Sequence, residues 1–305
     1  MAGNYHIPVL LNQSVEGLNI NPDGIYADLT FGGGGHAEEI LKHLKTGKLF
    51  AFDQDADVLK NVKRLSEKYP ENFFFFQANF EYFANFLRYA GFKKIDGILA
   101  DLGVSSHQFN DAERGFSFRF EGIPDMRMNQ KAQKSSVDIL NEYDEDKLIY
   151  IFRTYGELKS AKKLASAIIM KREIRKIENT EQFNKIIEET IKTEKKNKIF
   201  AKIYQALRIE TNSEIDVLKK MLDQTADVLK SGGRLVVLSY HSLEDRLVKN
   251  YIKFNDFEGN ENKDIYGNSE KFFKEITKKV IVPDEKEIEK NNRSRSAKLR
   301  IAERI

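Results

Sequence analysis

The stretch that most constrains this chain is Ile25-Tyr26-Ala27-Asp28-Leu29-Thr30-Phe31-Gly32-Gly33-Gly34-Gly35-His36, an apolar run that passes through an acid into four consecutive glycines. Glycine takes positive φ without strain and lets a ligand approach the backbone without meeting a Cβ, so a glycine run between a strand and a helix suits a bound nucleotide. The helix that follows is predicted from His36, with Ile40, Leu41 and Leu44 on one face. Gly32, Gly34 and Ala37 fall at the G-x-G-x-x-A positions of the dinucleotide fingerprint, a loose match when taken alone. A second apolar strand, Lys48-Leu49-Phe50-Ala51-Phe52, ends in Asp53 about twenty residues on, where an acid accepts hydrogen bonds from ribose hydroxyls. Together these features predict an adenosine site; a tight strand-to-helix turn followed by a helix-starting Asp is the plainer alternative.

Between residues 25 and 102 the pattern alternates, with strands at 25–29, 48–52, 73–77 and 95–102 and helices at 36–45, 55–68 and 80–90, the order of a parallel α/β sheet. The run Phe73-Phe74-Phe75-Phe76 suits a strand covered on both faces. Asp101 closes the fourth strand, at the carboxyl end where open α/β sheets bind ligands. The alternation then gives way to helical patterns at 144–154, 160–177, 180–195 and 197–209, which predicts a mainly helical insert over 108–212 between a first part, 1–107, and a second part, 213–305. The second part opens with a capped helix from Ser213 to Lys230, ended by Ser231-Gly232-Gly233. A buried strand at 234–239, edge strands at 276–282 and 297–303, and a mobile polar loop at 256–271 complete it.

Composition narrows the chemistry. The 305 residues are 41% apolar, enough for a real core, and contain no cysteine, which removes disulfides, thiolate zinc sites, iron–sulfur clusters and a cysteine nucleophile. No run of eighteen apolar residues occurs, and Met1-Ala2-Gly3-Asn4-Tyr5-His6 lacks the marks of a signal peptide, so a cytoplasmic protein without a membrane partner is expected. A net charge of +3 is too small to establish a polyanion partner, so the distribution of charge matters more than its sum.

Two enzyme classes compete for the glycine loop, a nicotinamide dehydrogenase and an S-adenosylmethionine transferase. Asp28, four residues before the first glycine, favours transfer, because it stands where the amino group of a sulfonium ligand would sit, whereas dinucleotide enzymes bring apolar residues up to that glycine. The turn Leu229-Lys230-Ser231-Gly232-Gly233-Arg234-Leu235 is similar to one in methyltransferases with a seven-stranded sheet.

Six longer motifs point to one family. Asp28-Leu-Thr-Phe-Gly-Gly-Gly-Gly-His36, Asp101-Leu-Gly-Val-Ser-Ser106, Glu113-Arg-Gly-Phe-Ser-Phe118, Asp125-Met-Arg-Met128, Tyr240-His-Ser-Leu-Glu-Asp-Arg246 and Arg293-Ser-Arg-Ser-Ala-Lys-Leu-Arg300 resemble the bacterial small-subunit ribosomal RNA methyltransferase H family, and His6-Ile-Pro-Val9 also fits. The resemblance spans nearly the whole chain. It implies a class I S-adenosylmethionine-dependent fold of Rossmann-like type, with a seven-stranded sheet and an inserted helical domain, that makes N4-methylcytidine in 16S ribosomal RNA of the small subunit, in the decoding region. It further implies that Gly34, Gly35 and His36 contact S-adenosylmethionine, that Asp53 takes the ribose, and that Phe80, Asp101 and Gln108 complete the pocket. Phe80 equally suits the core and Gln108 a solvated loop. The chain departs from the family pattern at Tyr240, where Phe is commoner, at Asn292, where Pro is commoner, and at Leu158, where Glu is commoner.

The chemistry agrees with transfer to nitrogen. Methylation at cytosine C5 normally requires a cysteine adduct, and no cysteine is present. The (D/N/S)-P-P-(Y/F) tetrapeptide of many amino methyltransferases is also missing; Asp101-Leu-Gly-Val-Ser105 takes its place, so Asp101 is expected near the methionine end and the target amine, assisting orientation more than full deprotonation. His241 is a candidate for orienting the target, or else a helix cap. Ser242, His241 and Asp245 are too close in sequence for a hydrolase triad, and His36 and His107 lack coherent metal-ligand spacing, so no metal is expected.

On the RNA side, the loops carrying Arg114, Phe116 and Arg127 offer aromatic surface and cations for a splayed nucleotide, or else anchor the insert. Lys290, Arg293, Arg295, Lys298, Arg300 and Arg304 make a basic end for phosphates, with Arg293 and Arg295 the better candidates beside serines. The runs 171–176 and 192–198 read more simply as solvated helix faces. Exposed apolar helices in the insert permit a homodimer. Other amino methyltransferases of RNA or DNA, and a nonenzymatic RNA-binding assembly factor that keeps the pocket, are the competing functions.

Overall fold

The computed structural model describes residues 8–261, 271–277 and 279–305, so most of the loop predicted at 256–271, and His6 and Ile7 of the early motif, lie outside the described residues. The chain forms two compact units, Met1–Gly103 with Asp216–Ile305, and Val104–Ile215.

The first unit follows the alternation read from the sequence. Helix α1 (Leu11–Gly17) precedes β1 (Ile25–Asp28), α2 (Gly35–His43), β2 (Lys48–Asp53), α3 (Leu59–Lys68), β3 (Phe73–Gln77), α4 (Phe83–Tyr89) and β4 (Ile95–Asp101). The second unit holds α5 (Ser106–Asn110), α6 (Ser136–Glu142), α7 (Glu145–Thr154), α8 (Ala161–Ile174), α9 (Thr180–Thr190) and α10 (Lys196–Asn212). The chain then runs through α11 (Glu214–Val228), β5 (Leu229–Ser239), α12 (Ser242–Phe254), β6 (Phe273–Glu275), α13 (Glu285–Lys290) and β7 (Lys298–Arg304).

The sheet has seven strands in the order β3-β2-β1-β4-β5-β7-β6. Strands β1 to β5 pair in parallel, while β7 runs antiparallel to both of its neighbours. This is the class I methyltransferase arrangement implied above. Its central strands are continuous apolar runs because both faces are covered. The four phenylalanines of β3 divide between those faces. Phe73 and Phe75 meet Phe31, with ring centroids 5.6 and 5.5 Å away, whereas Phe74 and Phe76 stack on Phe50 and Phe52 at 5.2 and 5.3 Å. Since β3 is an edge strand, Phe74 to Phe76 remain half-buried.

Three expectations need correction. The strand expected at an edge over 297–303 is β7, which lies between β5 and β6. The helix preceding β5 ends at Val228, and Ser231-Gly232-Gly233 lies within β5, where Leu229 already pairs with Ile95 and the register shifts before Arg234 meets Gly97. The glycines therefore serve a bulge, with Gly232 at φ +80°. The edge strand expected at 276–282 is instead Phe273–Glu275, followed by an isolated bridge from Ile281 to Leu299.

The helical unit has its own core, in which Met126, Leu140, Phe152, Leu164, Phe183 and Leu207 are essentially inaccessible. Leu158, where the family pattern favours Glu, joins that core. Helices α5 and α6 were not predicted, although each starts with a capping box, Ser105 with Gln108 and Ser135 with Asp138, whose spacing is visible in sequence. No helix among the described residues is long and apolar enough to cross a membrane.

Candidate active site

Three carboxylates stand at the carboxyl ends of three adjacent strands. Asp28 of β1 pairs with Ala51 of β2 and Leu99 of β4, so Asp53 and Asp101 each lie two residues further along, on either side of it. Asp28 is fully buried. Its Oδ1 accepts the Thr30 N–H at 3.1 Å, while Oδ2 has no hydrogen-bond partner. Burial, reinforced by the charges of Asp101 and Asp53, pushes its carboxyl up to about 7. The Thr30 hydroxyl accepts the Asp101 backbone N–H at 2.6 Å and so ties the end of β1 to the end of β4.

The glycine loop is shaped by the second acid. Asp53 Oδ2 accepts the Gly32 N–H at 2.8 Å, and Oδ1 accepts the Asp55 N–H at 2.9 Å. Burial pushes the Asp53 carboxyl up to about 6 despite these bonds. Gly34, the N-cap of α2, sits at φ +75°, and a Cβ there would meet Phe31 Cζ at 2.8 Å. A Cβ on Gly35 would collide with Pro8 Cγ, whereas above Gly33 nothing lies within 4 Å, leaving bare backbone open to a ligand. Gly34→Ala is therefore expected to weaken cofactor binding about tenfold or more, measured by calorimetric titration, because both the left-handed backbone and the Phe31 contact resist a side chain.

His36, in the first turn of α2, is buried, with Nε2 at 3.2 Å from the Val9 carbonyl and Nδ1 at 3.7 Å from Asp101 Oδ2. Burial pulls the imidazole down to about 4, so it is neutral at physiological pH; the carbonyl assigns the proton to Nε2. Beyond β2 and β3, Asn79 Nδ2 donates to Gln54 Oε1 at 3.2 Å, joining the loops that follow the two strands. Phe80 opens the 3-10 turn after β3, half-buried, beside Asn79 as its cap.

This cradle fits S-adenosylmethionine. An ammonium group against Asp28 would satisfy the orphaned Oδ2, hydroxyls would find an acid in Asp53, and Phe80 offers a half-buried ring after β3. Asp101 keeps 19% of its side chain exposed, so a substrate can reach it. Tyr240, just beyond β5, donates its hydroxyl to Asp101 Oδ1 at 2.7 Å, a bond that the phenylalanine commoner at this position could not make and that the local sequence does not reveal.

His241 is the N-cap of α12. Its Nδ1 accepts the Glu244 N–H at 3.4 Å, and Nε2 lies 3.1 Å from Glu244 Oε1 at an angle that makes no hydrogen bond. The structure thus gives it the capping occupation. Among the basic residues of the C-terminal end, Lys298 and Arg300 are committed to Asp245, at 2.9 and 2.7 Å, and Arg304 to the carbonyls of Ala226 and Phe272. These three do not present themselves to phosphate as expected. Arg293 and Arg295 are exposed, on a 3-10 turn over Asn292–Ser296.

In the helical unit, Gln108 is buried and its Oε1 accepts the Ser105 N–H at 3.0 Å. Arg114 is also buried, donating to the carbonyls of Arg127 and Met128 at 3.0 and 3.2 Å, with its guanidinium over Phe116. Phe116 belongs to the core of the unit, and Arg127 grips Asp125 through two nitrogens. All three make these contacts within their own unit, which supports the anchoring alternative. Arg114→Ala should cost about 2 kcal/mol of stability, read from urea unfolding, because it removes a buried side chain and its hydrogen bonds to two partly buried carbonyls.

Comparison with known proteins adds a family. The model of the MraW methylase family matches residues 3–305. A protein of Cytophaga hutchinsonii named Ribosomal RNA small subunit methyltransferase H is 53% identical over 300 residues, covering 98% of this chain and 99% of its own. One of the same name from Bacteroides thetaiotaomicron is 53% identical over 301 residues, covering 98% and 97%. A solved rRNA methylase from Streptococcus thermophilus is 15% identical with a TM-score of 0.41, covering 98% of this chain and 99% of that one, a distance at which the likeness bears on nothing in the site.

Proposed function

Because the chain belongs to the MraW methylase family, we propose that it is a cytoplasmic enzyme that transfers the methyl group of S-adenosylmethionine to the exocyclic N4 of a cytidine in 16S ribosomal RNA of the small subunit. The observation that carries this reading is near-complete alignment at 53% identity with proteins named as ribosomal RNA small subunit methyltransferases, joined to an acid-ended sheet with an orphaned buried carboxylate oxygen. When bound, the cofactor supplies an electrophilic sulfonium methyl whose bond electrons leave with sulfur.

The residues of this chain supply position and a proton acceptor. Asp28 takes the ammonium, the loop from Gly32 to Gly35 takes the nucleoside side, and Asp53 takes the ribose. Asp101 accepts a hydrogen bond from the cytosine amine, turns its lone pair toward the methyl carbon, and receives the N–H proton as the C–N bond forms. The poor basicity of an amine conjugated with the ring makes this orientation the main contribution. Arg293 and Arg295 supply exposed cations for phosphates. In the helical unit, an open groove of about 570 Å³ lined by Phe118, Arg119, Phe120 and Lys185 supports a substrate-binding role, although Glu121, Glu181 and Glu188 also face it. Met170 and Ile174 on α8, 61% and 85% exposed, are the apolar surface on which a homodimer would form.

Incubation with methyl-labelled S-adenosylmethionine and either unmodified small subunits or naked 16S RNA tests this. Label is expected in RNA from one or both; cofactor binding with no label in either would refute the enzymatic reading.

A further inference from the structure

Beyond the proposed reaction, and resting on the role of Asp101 within it, we infer that Tyr240 is a positioning residue that fixes the carboxylate of Asp101 for the target amine. Three observations meet here. In the β4–β5 pairing Asp101 lies opposite Leu238, and Leu102 donates its backbone N–H to the Leu238 carbonyl at 3.0 Å, so the chain leaving β5 passes beside the end of β4. Tyr240, two residues past Leu238, turns its hydroxyl back onto Asp101 Oδ1 at 2.7 Å. Its ring lies against Gly103, where φ is +97° and a Cβ would stand 3.6 Å from Tyr240 Cδ2.

Oδ1 is held by the phenol, and Oδ2 lies 3.7 Å from His36 Nδ1, so the phenol sets the rotation of the carboxylate that meets the target amine. The phenol can only serve if it stays protonated, and burial together with the Asp101 charge raises the Tyr240 hydroxyl well above its ordinary range. The other titratable groups around the pair are Asp28 on β1, His36 on α2, Glu244 on α12 and Glu287 on α13. His36 is neutral and the remainder are acids, so the hydroxyl is the donor that favours the ionised form of Asp101 against them. A phenylalanine at this position would keep the ring and its packing while removing that donor.

The test compares wild type, Tyr240→Phe, Asp101→Asn and the double variant in single-turnover methyl transfer from pH 5 to pH 9, with cofactor affinity measured alongside. For Tyr240→Phe the expected result is cofactor affinity within about twofold of wild type, an acid limb of the rate profile moved to higher pH, and a rate defect that is largest at the acid end and recovers toward pH 9. In the Asp101→Asn background the same change should have no further effect on the profile. If Asp101→Asn is inactive and Tyr240→Phe shows the wild-type pH profile, the positioning role is overturned while the role of Asp101 stands. If Asp101→Asn transfers at the wild-type rate, the acceptor role falls and the inference falls with it.

Discussion

Asp101→Asn is expected to lower methyl transfer by at least about a hundredfold while leaving the protein folded and its cofactor affinity within a few fold of wild type. The substitution keeps the shape of the side chain, and the amide oxygen still accepts the Tyr240 hydroxyl that now stands 2.7 Å from Oδ1. The backbone bond from Asp101 to Thr30 is untouched, so the ends of β1 and β4 stay tied. What the amide loses is the ability to receive a proton and to attract the N–H of an amine with full charge. Rapid-quench transfer with the cofactor saturating separates this from a binding defect. Normal turnover with unchanged affinity would show that another group orients the amine.

The second large effect belongs to Asp28, and it carries a pH signature. Asp28→Asn should weaken S-adenosylmethionine binding by about two orders of magnitude, the scale of losing a charged partner in a desolvated site. Because the buried carboxyl is pushed up to about 7, part of the free protein is protonated there at neutral pH, and an ammonium ligand selects the ionised fraction. Wild-type affinity should therefore tighten as pH rises from about 5.5 to 7.5, with proton release on binding, and the Asn variant should be nearly flat over that range. The stability of the free protein moves the other way. The folded-state value of about 7 exceeds the ordinary 3.8, so the folded form holds the extra proton and stability falls as pH rises from about 4 through 7, by about 4 kcal/mol in total. At pH 8 the free Asn variant is accordingly expected to melt higher than free wild type. Calorimetry in two buffers of different ionisation enthalpy, together with melting curves from pH 5 to 8, checks both signs.

Much of the site was written in local pattern. An acid, four glycines and a second acid at nucleotide spacing marked β1, β2 and the loop between them, and Asp101 ended a run of buried residues that only a central strand explains. What escaped depended on partners distant in sequence. Tyr240 reads as one more aromatic until β5 is laid beside β4, and Thr30 reads as a loop residue until its hydroxyl meets the Asp101 N–H. Gly232 and Gly233 look like a stop because glycine ends helices as readily as it permits a bulge, and only the pairing of Leu229 with Ile95 decides between them. Lys298, Arg300 and Arg304 looked like phosphate ligands because a run of charges does not show where Asp245 or a backbone carbonyl will stand. The partners that hold Arg114 and Arg127 inside their own loop are hidden from a reading of charge for the same reason.

Transfer to a cytosine amine is read out by nucleoside mass spectrometry of 16S RNA after reaction with labelled S-adenosylmethionine. Label is expected in N4-methylcytidine with wild type and is expected to disappear with Asp101→Asn. Label in 5-methylcytidine, in a methylated purine or in a ribose would rule out transfer to that amine.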